Sequence, residues 1–284
     1  MQPVTEKRDF PARLLDLAEQ TAGLAQTALY RAVGRRFPYE SLSWEAVALD
    51  LEDLLGGSSG TVEKVLSEDR LLETERHVRD LLEEIRAEDP FLRRWAADSV
   101  LARCCYLLCR LLRPSVVVET GVAYGVSSAF LLAALAENGR GELHSIDLVP
   151  PRRGARRFQG VAVPESLRGR WTLHRGASRR VLPPLLRSLR ERGGVDLFVH
   201  DSLHSRANME GEFALVWPEL RRGGAVVADD VERNAAFGSL QRRKPALWRV
   251  VCDRETDPLH GPPASVAFGV AVKGRRDRRY NPDS

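Results

Sequence analysis

Two apolar runs in this chain each end in acid. Val195-Asp196-Leu197-Phe198-Val199-His200 leads into Asp201-Ser202-Leu203-His204, and Ala225-Val226-Val227-Ala228 leads into Asp229-Asp230. Runs of this length, rich in β-branched residues, read as strands buried on both faces. Adjacent strands of a parallel sheet end at one rim, so Asp201, Asp229 and Asp230 converge. Clustered carboxylates repel one another unless protonated or bound to a cation. Oxygen donors of this kind suit Mg²⁺, Ca²⁺ or Mn²⁺. His204 stands where it could take a proton from a group held at that rim. The competing reading leaves one or two of the acids as helix caps and the rest solvated.

A second constellation is Val116-Val117-Val118-Glu119-Thr120-Gly121-Val122-Ala123-Tyr124-Gly125-Val126-Ser127-Ser128. An apolar strand breaks at Gly121 and Gly125. Ser127 and Ser128 then open a helix, which predicts a serine N-cap. Strand, glycine turn and helix form the first unit of a doubly wound α/β sheet, whose ligand sits over the helix N-terminus. The loop lacks the lysine of a phosphate cradle and the G-x-G-x-x-G spacing of a dinucleotide site. Glu119 beside it would repel phosphate and attract an ammonium group. The next strand, Leu143 to Asp147, ends in an acid suited to a ribose diol.

These elements need a sheet to hold them. Further strands are read at Trp171–His174, Trp248–Cys252 and Ala264–Val272, with a turn at Arg221–Gly224. Helices are read at residues 91–113, as one long helix, at Val181–Leu189, entered through Pro183 and Pro184, and at Met209–Leu220. Residues 150–170 form a Pro/Arg/Gly-rich loop, and residues 235–244 a loop or short helix. Residues 10 to about 90 read as helices only, with apolar stripes over residues 14–29, Trp44–Leu55 and Glu68–Glu88. Gly56-Gly57-Ser58-Ser59-Gly60 is the clearest flexible joint. The helical region could serve as a lid over the site, a dimerisation element or a buttress. Three segments result: a helical extension (1–90), an α/β domain (91–273) and a charged tail (274–284).

Composition narrows the partners. At 43% hydrophobic and 29% charged, the 284-residue chain is globular, with room for one large α/β domain and an appendage. A net charge of +4 comes from scattered arginine pairs without interleaved aromatics, which disfavours a nucleic-acid stacking platform. No apolar run reaches the roughly 20 residues of a membrane span, and the N-terminus has no signal-peptide core. A cytoplasmic protein is expected. Cys104, Cys105 and Cys109 fall on one helix with Cys252 apart, and they fit neither a metal motif nor a disulfide framework.

The glycine loop resembles motif I of the class I S-adenosylmethionine-dependent methyltransferases. Asp201-x-x-His204 with Asp229-Asp230 is similar to the pattern of the metal-dependent macrocin-type sugar O-methyltransferases. Residues 101–273 together resemble the bacterial "methyltransferase domain 24" group. The resemblance implies a Rossmann-like, mostly parallel seven-stranded sheet with helices on both faces, closed by an antiparallel strand. It implies S-adenosylmethionine held by Glu119, Thr120, Gly121, Tyr124, Gly125, Ser127, Ser128, Asp147, Asp201 and the turn Gly176-Ala177-Ser178. In the family that turn flanks the adenine, and many relatives carry an acid where Ala177 stands. The resemblance further implies Mg²⁺ or another divalent ion on Asp201, Asp229 and Asp230, His204 as base with Asp201 beside it, and a small hydroxylated acceptor such as a sugar, phenol or natural product. A homodimer or larger homo-oligomer is expected. Two alternatives stay open: a metal-independent methyltransferase acting on nitrogen or another nucleophile, and a non-catalytic cofactor-binding module. The [DNS]-P-P-[YFW] motif of base-flipping nucleic-acid methyltransferases is absent after the fourth strand.

Overall fold

A computed structural model describes residues 39–56, 58–88, 97–148, 154–253 and 266–274. The helical reading of residues 10–38, most of the 91–98 segment, Pro150 and the tail from residue 275 lie outside the described residues.

The apolar runs become one seven-stranded sheet. Its strands are β1 (Val116–Thr120), β2 (Glu142–Asp147), β3 (Trp171–Arg175), β4 (Val195–His200), β5 (Leu220–Asp229), β6 (Leu247–Asp253) and β7 (Val266–Val272). Their order is β3-β2-β1-β4-β5-β7-β6. β1 to β5 are parallel, and β7 runs antiparallel to both β5 and β6. The chain winds outward from β1 to β3, then returns to place β4 on the other side of β1. The loops after β1 and β4 therefore diverge, and the crevice between them is where a doubly wound sheet binds its ligand.

Helices cover both faces. One layer holds α1 (Trp44–Leu55), α2 (Thr61–Leu66), α3 (Asp69–Ile85), α4 (Ser99–Leu112) and α5 (Val126–Glu137). The other holds α6 (Ser178–Arg190), α7 (Arg206–Glu219) and the short α8 (Gly238–Gln241). β1 is buried along its whole length and alternates between the layers: Val117 joins the first core, and Val116 and Val118 join the second. The same alternation sends Glu119 toward α5 and Thr120 toward α7.

The described N-terminal helices belong to the first core rather than standing apart. α1 buries Trp44, Val47, Leu51 and Leu55, and α3 buries Leu71, Val78, Leu82 and Ile85, all in the cluster that contains α4 and α5. Each such side chain contributes roughly 1.5–3 kcal/mol of burial free energy. Leu72, within the Glu68–Glu88 stretch, is 39% exposed and lies off the buried stripe. The glycine joint is tied down. The buried Glu52 accepts bonds from the N–H groups of Gly60 (3.3 Å) and Val62 (2.7 Å), serving two otherwise orphan donors at the start of α2. Leu42 pairs with Val251 of β6, so the chain before α1 is stitched to the sheet edge.

Several local readings are corrected. The helix read from residue 91 begins at Ser99, where the Asp98 carboxylate accepts from the Leu101 N–H at 2.7 Å and sets the start. α5 is entered through Gly125 in the left-handed conformation and not through a serine cap. Ser127 and Ser128 lie within its first turn. α6 starts at Ser178, which puts Pro183 and Pro184 inside the helix rather than at its entrance. The turn at Arg221–Gly224 is an irregular part of β5, marked by a pairing shift opposite Val195 and Leu197.

Candidate active site

The glycine loop is shaped by close approach of backbones. Gly121 has φ +86, and a Cβ there would lie 1.9 Å from the Asp201 carbonyl oxygen. The loops after β1 and β4 touch at this point, and only glycine permits it. At the other end of the turn, a Cβ on Gly125 would come within 2.8 Å of the Gly160 Cα. The loop after β2 covers the turn there: Ala123 and Tyr124 carbonyls accept from the Gly160 and Ala162 N–H groups. Tyr124 is buried, its ring tilted against Phe158.

Glu119, Ser127 and Ser128 close on one another. Glu119 is fully buried and accepts from the hydroxyls of Ser127 (2.6 Å), Ser128 (2.6 Å) and Ser145 (2.7 Å). Burial lifts its carboxyl to about 7 even against those three donors. The expectation that Glu119 offers a free carboxylate to an ammonium group, with the serine hydroxyls holding the same ligand, meets a different arrangement. Strand alternation turns Glu119 inward under α5, and both serine hydroxyls are spent on it. Thr120 and Ser178 are likewise committed. The Thr120 hydroxyl donates to Glu212, and Ser178 points to Asn208 at 3.5 Å. Gly176 and Ala177 form the turn between β3 and α6, with Ala177 at the helix N-cap.

Asp147 ends β2 at the same rim as the glycine loop. Gln159 donates to it at 2.7 Å, and the Val122, Ala123 and Leu148 N–H groups also face its carboxylate. Burial raises its pKa, and these donors pull it the other way. Gln159 in turn accepts from Arg175 at 3.0 Å. A ribose diol at Asp147 would take the place of the Gln159 amide. Gln159 was not picked out from the sequence, because nothing about a glutamine in a loop marks it.

The acid cluster forms at the ends of β4 and β5. One ligand atom each from Asp201, His204 and Asp229 lies within 4.8 Å of the others. His204 Nε2 sits 3.5 Å from Asp201 Oδ1, shielded from solvent and without a hydrogen-bond partner. Asp230 differs from the expected third carboxylate ligand. Its backbone is left-handed, at φ 54, and its Oδ2 is engaged with His204 Nδ1 and, at 2.8 Å, with Arg233. The convergent donors are therefore two aspartates and an imidazole, with Asp230 orienting the ring. Burial disfavours charge on His204, yet Asp230 and Asp201 outweigh it and hold its pKa well above the usual value. Asp229 is pushed well above the carboxylate range by burial and by repulsion from Asp230 and Asp201. Asp230 is held below its ordinary value despite burial, by His204 and Arg233. A cation between Asp201 and Asp229 would relieve their repulsion, with the unpartnered His204 Nε2 beside it. The donor set thus fits a small divalent ion.

Beneath the crevice lies a network that sequence reading missed. Glu212 of α7 is 1% exposed. It accepts from Thr120 Oγ1 (2.7 Å), His200 Nδ1 (2.7 Å), Ser202 Oγ (3.0 Å) and Asn208 Nδ2 (3.0 Å). Burial alone would raise its pKa, but His200 and the other donors bring it down to about 2. The sequence signal was present: Glu212 falls three residues after Met209 and one before Phe213, on the buried stripe of α7.

A mostly parallel seven-stranded sheet with the penultimate position taken by an antiparallel strand, a glycine loop after β1 and an acid after β2 define the class I methyltransferase fold. Residues 118–231 match a family model described as a methyltransferase domain, Methyltransf_24. Over that stretch, about two fifths of the chain, the sequence is similar to methyltransferase domains. A Klebsiella pneumoniae protein whose solved structure carries an O-methyltransferase assignment is similar in fold. The two share 17% identity at a TM-score of 0.51, over 82% of this chain and 98% of that one. The O-methyltransferase TomG from Streptomyces achromogenes, solved with S-adenosylmethionine and involved in tomaymycin synthesis, shares 18% identity over 82% of this chain and 97% of its own, at a TM-score of 0.47. An O-methyltransferase from Bacillus cereus, solved with S-adenosylhomocysteine, shares 14% over 81% and 98%, at 0.46. No curated protein sequence matches the chain. Among the described residues, no helix is long and apolar enough to cross a membrane.

Proposed function

We propose that this protein transfers the methyl group of S-adenosylmethionine to a hydroxyl oxygen of a small molecule, with a divalent ion at the rim. The observation that carries the reading is the convergence of Asp201, His204 and Asp229 beside the Gly121 loop. The sulfonium methyl is displaced in line and its leaving group is neutral, so the protein's task is alignment and a deprotonated nucleophile. Asp147 would accept the ribose hydroxyls once Gln159 moves aside, and the loop from Gly121 to Gly125 would lie along the amino-acid portion. Asp201 and Asp229 would hold the ion. Bound there, it would balance the carboxylates and lower the pKa of an acceptor hydroxyl. The carboxylates alone hold His204 protonated; with the ion balancing Asp201 and Asp229 the ring would give up that extra proton, and Asp230, fixing it through Nδ1, would leave Nε2 to face the acceptor and take its proton. Asn234 supports that placement by donating to the His204 carbonyl at 3.1 Å.

The test is methyl transfer to a panel of sugars, phenols and polyketides, before and after chelation with EDTA and re-addition of Mg²⁺ or Mn²⁺. Loss of turnover on chelation and recovery with metal is the expected result. A chelated enzyme with full rate removes the ion and leaves the aspartates as partners of His204. His204→Gln should lower the rate roughly 10²–10⁴-fold with Mn²⁺ binding kept if His204 is the base. Loss of Mn²⁺ binding in that variant would make it a ligand instead. Asp147→Ala should weaken S-adenosylhomocysteine binding about ten-fold by calorimetry, as expected for one lost charge-assisted bond.

A further inference from the structure

Thr120 and His200 are register partners, the last residues of β1 and β4 on the face that meets α7. Immediately after them the chain divides. Gly121 opens the cofactor loop, and Asp201 opens the loop that carries His204. The two loops leave toward opposite layers, so nothing in the strand ladder beyond this pair holds them in register. One cross-link is the Asp201 N–H to the Thr120 carbonyl at 2.8 Å. The other runs through Glu212. Its carboxylate offers about four lone-pair sites, and four donors fill them, from Thr120, His200, Ser202 and Asn208. Asn208 extends the hold by donating also to the Leu203 carbonyl at 3.1 Å, inside the Asp201–His204 loop.

We infer that Glu212 is a positioning residue that staples the cofactor loop after β1 to the acid loop after β4, so that displacement of either loop is felt by the other. The staple lies beneath the crevice and touches neither reacting group. A hydrophobic side chain would fill the same volume without fixing the two strand ends, and an amide would satisfy only part of the donor set. The inference rests on the reading above for what the two loops bind, but the mechanical link stands without it.

The experiment is amide hydrogen exchange by mass spectrometry on the full ligand-free chain, for the wild type, Glu212→Gln and Thr120→Val. Thr120→Val decides the matter, because it keeps volume, leaves Glu212 in place and lies on the β1 side only. Peptides covering residues 200–205, across the crevice, should exchange about ten-fold faster in Thr120→Val, the size of effect expected from one buried bond. Glu212→Gln should loosen residues 118–124 and 200–205 together, while peptides within α4 stay protected. A change in Thr120→Val confined to residues 116–124, or a uniform loss of protection in both variants, overturns the staple. A parallel titration with S-adenosylhomocysteine should show weaker binding in both variants. Failure of the wild type to bind it would overturn the cofactor reading and leave the exchange result to judge Glu212.

Discussion

Glu119 and Glu212 are both buried glutamates, and both serve the end of β1. Glu119 stands on the strand, and Glu212 reaches the very next residue, Thr120, from the opposite face. Each accepts at least three side-chain hydrogen bonds. Yet one carboxyl is lifted to about 7 and the other brought down to about 2. The difference is the imidazole. Three serine hydroxyls do not offset the desolvation of Glu119, and Asp201 adds repulsion. Glu212 has His200 in direct contact and a full complement of donors. Buried acids of equal burial thus divide into one that titrates near neutrality in the α5 layer and a fixed anion of the α7 layer, according to what their neighbours can donate.

The largest way to break this comparison is truncation. Glu212→Ala leaves His200, Asn208 and two hydroxyls unpaired in the core, and should cost about 3–5 kcal/mol in urea unfolding, as for a broken buried pair. Glu119→Ala strands hydroxyls only, at about 1–3 kcal/mol. Equal losses would mean that the two nodes do not differ in charge.

Next comes the pH dependence of stability. Below the ordinary carboxyl value of 4.5, the native state of Glu212 holds its charge while the unfolded chain takes up a proton. Its stabilisation is present above 4.5 and is lost as pH falls toward about 2. Glu119 works in the opposite sense. From 4.5 up to about 7 the native protein keeps a proton that the unfolded chain has released, so stability declines as pH rises through that window. Each limb is worth on the order of 3 kcal/mol at most. Subtracting the profile of Glu119→Gln from that of the wild type should show the upper limb alone. A flat difference between pH 4.5 and 7 would place Glu119 in the ordinary range.

The smallest effect sharpens the contrast. Ser145→Ala removes one of the three donors to Glu119 and should cost about 1 kcal/mol. It should also move the Glu119 limb to higher pH. Ser202→Ala, the matching loss at Glu212, should leave the acid limb almost where it was, since His200 remains.

The same pair shows what the sequence could and could not disclose. The valine-rich runs, the glycines at 121 and 125 and the aspartates at strand ends were legible, because burial and chain reversal constrain residue type directly. Acids at the carboxyl ends of β4 and β5 had to meet, and Asp201 and Asp229 do. What stayed hidden was direction. One residue decides whether a polar side chain at the end of a strand faces the ligand or a helix, and β1 turns Glu119 and Thr120 to opposite layers. Asp230 was hidden for the same reason, since its left-handed backbone aims it at His204 and Arg233. Periodicity revealed α1 and α3 but not their docking. That depends on which face of α4 and α5 is left open, and a stripe alone carries no such information.

The loop after β2 meets the sheet at Gly160, where a Cβ would lie 2.3 Å from the Trp171 ring. The indole Nε1–H of Trp171 donates to Ser145 Oγ at 2.9 Å, and Ser145 donates onward to Glu119. One indole is thus joined through a single hydroxyl to the acid at the root of the glycine loop. Indole emission responds to the field along its N–H, so the part of the five-tryptophan emission lost in Trp171→Phe should shift as Glu119 titrates.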